Sequence, residues 1–154
     1  MSQTVYFSAG CFWNIENKFK KLEGVISTSV GYMGGFSINP TYKKVIKGNT
    51  GHAETVEIEY NSNIISYNKL IDFFFKIHDA TTLNKQGLNI GTNYRSIVFY
   101  NTNYQKQLYT NFLDKLPNKK KIVTELLDRR KYIYYIAENY HQNYIEKKNK
   151  IVLK

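Results

Sequence analysis

Two hydrophobic periods alternate along this chain, and that alternation restricts its fold more than any other feature. The segment ETVEIEY sets Val56, Ile58 and Tyr60 on one side and Glu57 and Glu59 on the other, the period of a half-buried strand. Phe12, Ile15, Phe19 and Leu22 instead recur at helical spacing, an amphipathic seam stopped by Gly24. VYFSAG, VISTSVGY and RSIVFYN read as further strands, and KIVTELL and KYIYYIA as short ones. Ser66 is placed to cap a helix through SYNKLIDFFFKIH, with Leu70, Phe73, Phe74 and Ile77 inward. NYQKQLYTNFLDKL predicts a helix with Tyr104, Leu108, Phe112 and Leu116 on its buried side and Pro117 at its end, and AENYHQNYIEKKN predicts a final helix. Strands interleaved with helices of modest length predict an α+β two-layer sandwich. Its helices pack on a mixed or antiparallel sheet with a ferredoxin-like core.

At 154 residues the chain is expected to form a single domain, 1–154, with a basic C-terminal segment and a core that requires no disulfide or metal staple. Its one cysteine excludes an intramolecular disulfide and the multi-cysteine zinc patterns, and His52, His78 and His141 lack close ligand spacing, so no metal is expected. The first residues, MSQTVYFSAG, do not resemble a signal peptide, and no apolar run reaches membrane-spanning length. A cytoplasmic monomer without a membrane partner is the expectation, and there Cys11 is kept as a thiol. The net charge of +10 is uneven: from residue 115 onward eleven Lys and Arg face four Asp and Glu. With no nucleic-acid motif in it, this stretch reads as a solvated face rather than a nucleic-acid surface.

Two long stretches, MGGFSINPTYKKVIKGNTGHAE and DATTLNKQGLNIGTNYRS, show neither period, and loops of that length in a compact domain usually carry function. Between the first strand and first helix lies SAGCFWNIE. Cys11 there reads either as an inert core residue or as a reactive thiol, its pKa lowered by the helix N-terminus. Adjacent helical positions do not share a face, so if Phe12 packs inward the only tryptophan, Trp13, points elsewhere. It then either lines a wall beside the thiol or covers the sheet edge. Period two puts Glu54 on the apolar side of its strand, where burial raises a carboxyl's pKa and fits it for general-acid work; the other reading is a solvated strand end. Tyr42 and Tyr94 lie in the two loops and can donate to an oxygen that gains negative charge, or serve structure alone. His52 or His141 could instead pair with Cys11 in a thiol hydrolase.

Taken in order, GCFWNIE, GYMGG, NPTY, GHAETV, QGLNIGTNYRS and AENYHQNY span nearly the whole chain and strongly resemble the A-type peptide methionine sulfoxide reductases. The resemblance implies a two-layer α+β fold and reduction of the S epimer of methionine sulfoxide, free or within oxidised proteins. Cys11 matches the family's nucleophile, Phe12 and Trp13 its methyl pocket, Glu54 the acid that protonates the sulfoxide oxygen, and Tyr42 and Tyr94 the phenols that bind that oxygen. Asn89 stands where the family commonly has an Asp that anchors the substrate's backbone amide. The resolving cysteines that many members carry near the C-terminus are missing. The resemblance therefore implies no bound cofactor, a Cys11 sulfenic acid, and an external thiol reductant, either thioredoxin or glutathione with glutaredoxin.

Overall fold

The computed structural model describes residues 2–152. In chain order the elements are β1 (Ser2–Ala9), α1 (Phe12–Phe19), β2 (Val25–Met33), α2 (Tyr42–Ile46), β3 (Ala53–Asn61), α3 (Tyr67–Lys76), β4 (Lys85–Gln86), β5 (Asn89–Ile90), β6 (Ser96–Tyr100), α4 (Asn103–Asp114), β7 (Glu125–Asp128), β8 (Tyr135–Ile136) and α5 (Tyr144–Val152). Six strands form one mixed sheet in the order β7-β6-β1-β3-β2-β8, in which only the β6–β7 pair is parallel. With α1 crossing from β1 to β2 and α3 from β3 to β6, the order β6-β1-β3-β2 is the ferredoxin-like arrangement expected from the sequence. Among the described residues no helix is long and apolar enough to cross a membrane.

The helix layer covers one face of the sheet. Phe12, Ile15 and Phe19 of α1, Leu70, Ile71 and Phe74 of α3 and Tyr109 of α4 close over Val5, Phe7, Val30, Val56, Ile58, Tyr60 and Val98. Truncating any of the buried phenylalanines to alanine costs about 3–5 kcal/mol. The other face carries Tyr6, Met33, Ala53, Ile97 and Phe99 under Leu127, Tyr132 and Tyr134. β1 alternates poorly in sequence because it is central and buried on both faces.

Capping follows local chemistry. Ser66 Oγ accepts from the Lys69 amide at 3.1 Å, as expected of a helix N-cap, and Thr102 Oγ1 accepts from the Gln105 amide at 3.1 Å. In α4 the buried side is rotated by one residue from the expected seam. Tyr104 is exposed, while Gln105 and Tyr109 are buried and Leu108, Phe112 and Leu113 pack partly against the core. The Gln105 side chain turns inward to accept from the Asn101 amide at 2.7 Å, and that capping bond sets the rotation.

Three other expectations change. The second long stretch is not structureless but carries the β4–β5 hairpin and a 3-10 turn, Thr92–Tyr94. The first long loop is not structureless, because Thr41 Oγ1 accepts from the Lys44 amide and starts α2. The final helix begins at Tyr144 rather than at Ala137. Residues 137–143 form a strap across the β2 edge instead. The Ala137 amide donates to the Val30 carbonyl, the Gln142 side chain both accepts from and donates to the Val30 backbone, and the Asn143 amide donates to buried Glu16. These long-range partners outcompete the local helical bonds that AENYHQN could have made.

The topology fixes where the loops go. Because β1 runs antiparallel to β3 and β6, with Ala9 opposite Ser96, the end of β1 meets the starts of β3 and β6. The end of β2, Met33, pairs with Ala53 at the start of β3. Both long loops therefore rise from one end of the sheet, the end at which α1 begins.

Candidate active site

Cys11 occupies the N-cap of α1, half-buried, between Gly10 and the first helical residue. Gly10 has φ +100°, and a Cβ there would lie 2.8 Å from Gln86 Cγ, so the β4–β5 hairpin packs over the strand-to-helix junction only because the side chain is missing. The amides of Trp13 and Asn14 point toward the sulfur and favour thiolate. Burial and the Glu54 carboxyl outweigh them and push the thiol up. The sequence expectation of a lowered pKa is thus reversed, because a helix N-terminus acts on a partly desolvated sulfur with a carboxyl beside it.

Glu54 is 2% exposed, on the inner face of β3 as its period predicted. Its Oε1 accepts from the Phe12 amide at 3.2 Å, which ties the carboxyl to the residue following Cys11. Burial pushes Glu54 up to about 7, against the opposing pull of the Phe12 amide and the Asn93 side chain. An ionised Glu54 carboxyl in turn disfavours thiolate at Cys11.

Tyr42 is the first residue of α2. Its amide donates to Glu138 Oε2 at 2.9 Å, and Glu138 Oε1 accepts from the Tyr32 hydroxyl at 2.7 Å, so the strap holds the start of α2 in place. Burial first, then Glu54, Tyr94 and Cys11, push the Tyr42 phenol up to about 12. Tyr94 ends a single 3-10 turn, Thr92–Tyr94, and is raised by burial and then by Glu54, with Cys11 a smaller cause. Cys11, Glu54, Tyr42 and Tyr94, distant in sequence, thus lie within electrostatic reach of one another.

The two aromatics after Cys11 divide as expected. Phe12 is buried, packed on Tyr32 with ring centroids 5.8 Å apart and on His141 at 5.2 Å. Trp13 is half-buried and less free than its sequence position suggested. Its indole stacks on Tyr144 at 3.9 Å with 13° between planes, and its N–H donates to His141 Nδ1 at 2.8 Å. Tyr42 closes the group, 4.5 Å from the His141 ring and 6.5 Å from Trp13. Asn89 is exposed on β5, opposite Gln86, the residue that packs over Gly10. It sits on the rim rather than among the four polar residues.

Sequence reasoning did not single out Glu138, Tyr144 or Asn93 and gave His141 a different role. The only signals for them were membership of the AENYHQNY and GTNYRS segments. The histidines do not assemble a Cys–His dyad. His52 accepts from the Gly35 amide at 3.1 Å through Nδ1 and meets the Ser37 carbonyl at 2.7 Å through Nε2, which uses both ring nitrogens to hold the first loop. His141 uses Nδ1 for Trp13. The arrangement offers a half-buried thiol, a carboxyl that keeps part of its proton near pH 7, two phenol donors and an aromatic wall. That set is suited to attack at a soft, apolar-substituted centre with proton delivery to its oxygen.

A family model described as peptide methionine sulfoxide reductase matches residues 3–154. The peptide methionine sulfoxide reductase MsrA of Methanococcus maripaludis is 44% identical over 154 residues, covering 99% of this chain and 97% of the relative. Among solved structures, methionine sulfoxide reductase A of Corynebacterium diphtheriae is similar with a TM-score of 0.86 at 32% identity, covering 95% of this chain and 74% of that one. Saccharomyces cerevisiae Mxr1 in reduced form gives a TM-score of 0.82 at 33% identity, over 95% and 85% of the two chains. Mxr1 in complex with Trx2 gives 0.58 at 22% identity, over 89% and 91%.

Proposed function

The chain belongs to the peptide methionine sulfoxide reductase family, oxidoreductases that reduce methionine sulfoxide, and on that premise we propose that it reduces the S epimer, free or protein-bound, with Cys11 as nucleophile. The observation that carries this reading is the buried carboxyl of Glu54, tied through the Phe12 amide to the residue after the thiol and raised by burial so that it keeps part of its proton near pH 7.

The substrate's methyl group lies against the Trp13 wall, backed by buried Phe12. Its oxygen accepts from the Tyr42 and Tyr94 hydroxyls and from protonated Glu54. The Cys11 thiolate attacks the sulfoxide sulfur while Glu54 gives its proton to the oxygen. On collapse the hydroxyl passes from the substrate sulfur to the Cys11 sulfur. The sulfoxide sulfur–oxygen bond and the transient sulfur–sulfur bond break, a sulfur–oxygen bond forms on Cys11, and methionine leaves with Cys11 as sulfenic acid. The substrate sulfur gains the two electrons that Cys11 loses. Exposed Asn89 contacts the substrate backbone through neutral hydrogen bonds only.

With one cysteine in the chain, the sulfenic acid has no internal thiol to meet. Two equivalents of an external thiol return Cys11 to the reduced form and yield water and a disulfide. Thioredoxin, or glutathione with glutaredoxin, supplies them. Mxr1 in complex with Trx2 is a precedent for the first within the same fold.

The test is a thiol-free assay with resolved S and R sulfoxides, followed by mass analysis of Cys11. The expected result is about one methionine per enzyme from the S epimer alone, with one oxygen added at Cys11. Cys11→Ser is expected to form none while keeping its fold. Several turnovers without thiol, or substantial activity in Cys11→Ser, overturns the mechanism.

A further inference from the structure

Two buried polar atoms beside the candidate acid lack a well-formed hydrogen bond: Glu54 Oε2 and Asn93 Nδ2. Asn93 is 2% exposed and sits in the turn Thr92–Tyr94. A Cβ on Gly91 would fall 2.6 Å from Asn93 Oδ1, and Gly91 has φ +146°, so glycine there is what lets the asparagine amide fold back into the interior. From that position its hydrogen bonding bears on both the Glu54 carboxyl and the Tyr94 hydroxyl. Buried amides without partners are costly and rare in folded proteins, and this one faces two groups assigned to the sulfoxide oxygen.

We infer that Asn93 is the positioning residue of the acid step: its side-chain amide donates to Glu54 Oε2 as that oxygen passes its proton to the substrate. In the resting site Oε1 accepts from the Phe12 amide, which leaves Oε2 to carry the proton. Once that proton leaves, Oε2 becomes a buried anionic oxygen in need of a donor, and Asn93 Nδ2, which already acts on the carboxyl but makes no well-formed bond, can supply it. A bond loose in the ground state and formed as charge develops lowers the barrier, whereas one equally strong in both states does not. The inference rests on Glu54 being the acid. The other titratable groups around that carboxyl are Cys11 from the N-cap of α1, Tyr32 from β2, Tyr42 from α2 and Tyr94 from the turn itself.

The test titrates Glu54 directly by carbon NMR of carboxyl-labelled glutamate. Cys11→Ser is the background, so that the coupled thiol is removed, and Glu54→Gln assigns the signal. In Asn93→Leu, which keeps the shape and loses the donor, the Glu54 pKa is expected to rise by about one pH unit, the scale of a hydrogen bond to a charged group. With Cys11 restored, the first-turnover rate on N-acetyl methionine (S)-sulfoxide is expected to fall about threefold to tenfold. Asn93→Ala is expected to show smaller effects than Asn93→Leu, because water can enter the space and donate instead. A role in packing alone predicts the opposite order, since alanine leaves the larger cavity. An unmoved Glu54 titration in Asn93→Leu, or a larger effect in Asn93→Ala, overturns the inference. Full first-turnover activity in Glu54→Gln would instead remove the acid itself, a separate failure.

Discussion

Replacing Glu54 by glutamine is expected to make the protein more stable, relative to the parent, as pH rises. The carboxyl sits on the apolar face of β3, 2% exposed, and burial raises it from 4.5 to about 7. The folded state therefore binds a proton more tightly than the unfolded chain, and stability falls as pH rises from the unfolded pKa through the folded one. At about 1.4 kcal/mol per pH unit, the parent loses about 3 kcal/mol between pH 5 and pH 8 through this group. Glutamine does not titrate, and its oxygen can still accept from the Phe12 amide. Whatever the amide costs or gains in packing appears as a constant offset, so the readout is the change in the gap between the two proteins. Thermal melts at half-unit steps from pH 5 to pH 8 measure it, with the upper limit chosen to stay below the raised thiol. For a chain of this length the gap in Tm should change by about 6–12 °C in favour of Glu54→Gln. A gap that stays constant across that range refutes the reasoning: Glu54 would then ionise in the folded state as easily as in water.

Glu138→Ala removes the acceptor shared by the Tyr42 amide and the Tyr32 hydroxyl; it is expected to cost about 1–3 kcal/mol in denaturant melts and to lower kcat/KM. Glu138→Gln keeps one oxygen for the Tyr42 amide and should retain most activity, and equal losses in both variants would show that the clamp does not position Tyr42. Asn89→Asp introduces a charged acceptor at the rim and is expected to lower KM for a backbone-blocked methionine sulfoxide with little change in kcat, as steady-state kinetics would report. Gly10→Ala combines φ +100° with a Cβ 2.8 Å from Gln86 Cγ and should destabilise by more than about 1 kcal/mol. An unchanged Tm there would mean that the hairpin lifts off the junction at no cost.

Where a side chain's face depends on its own neighbours, the sequence was sufficient. Period two along ETVEIEY placed Glu54 inward, and the seam from Phe12 to Phe19 placed Cys11 at the head of a helix, because backbone geometry fixes alternation within a few residues. The interleaving of the two periods likewise determined the layered α+β architecture. The expectations that failed depended on partners from far along the chain. The α4 seam turned by one residue when Gln105 closed on Asn101, and AENYHQN gave up helix for bonds to Val30, Tyr32 and Glu16. The sign of the Cys11 shift was decided in the same way. The helix amides that favour thiolate are local and legible, whereas the burial and the Glu54 carboxyl that outweigh them exist only once β3 lies beside β1. Only the tertiary structure brought Asn93, Glu138 and His141 to the site, because desolvation and hydrogen bonding depend on what surrounds an atom, and sequence periodicity specifies direction without specifying surroundings.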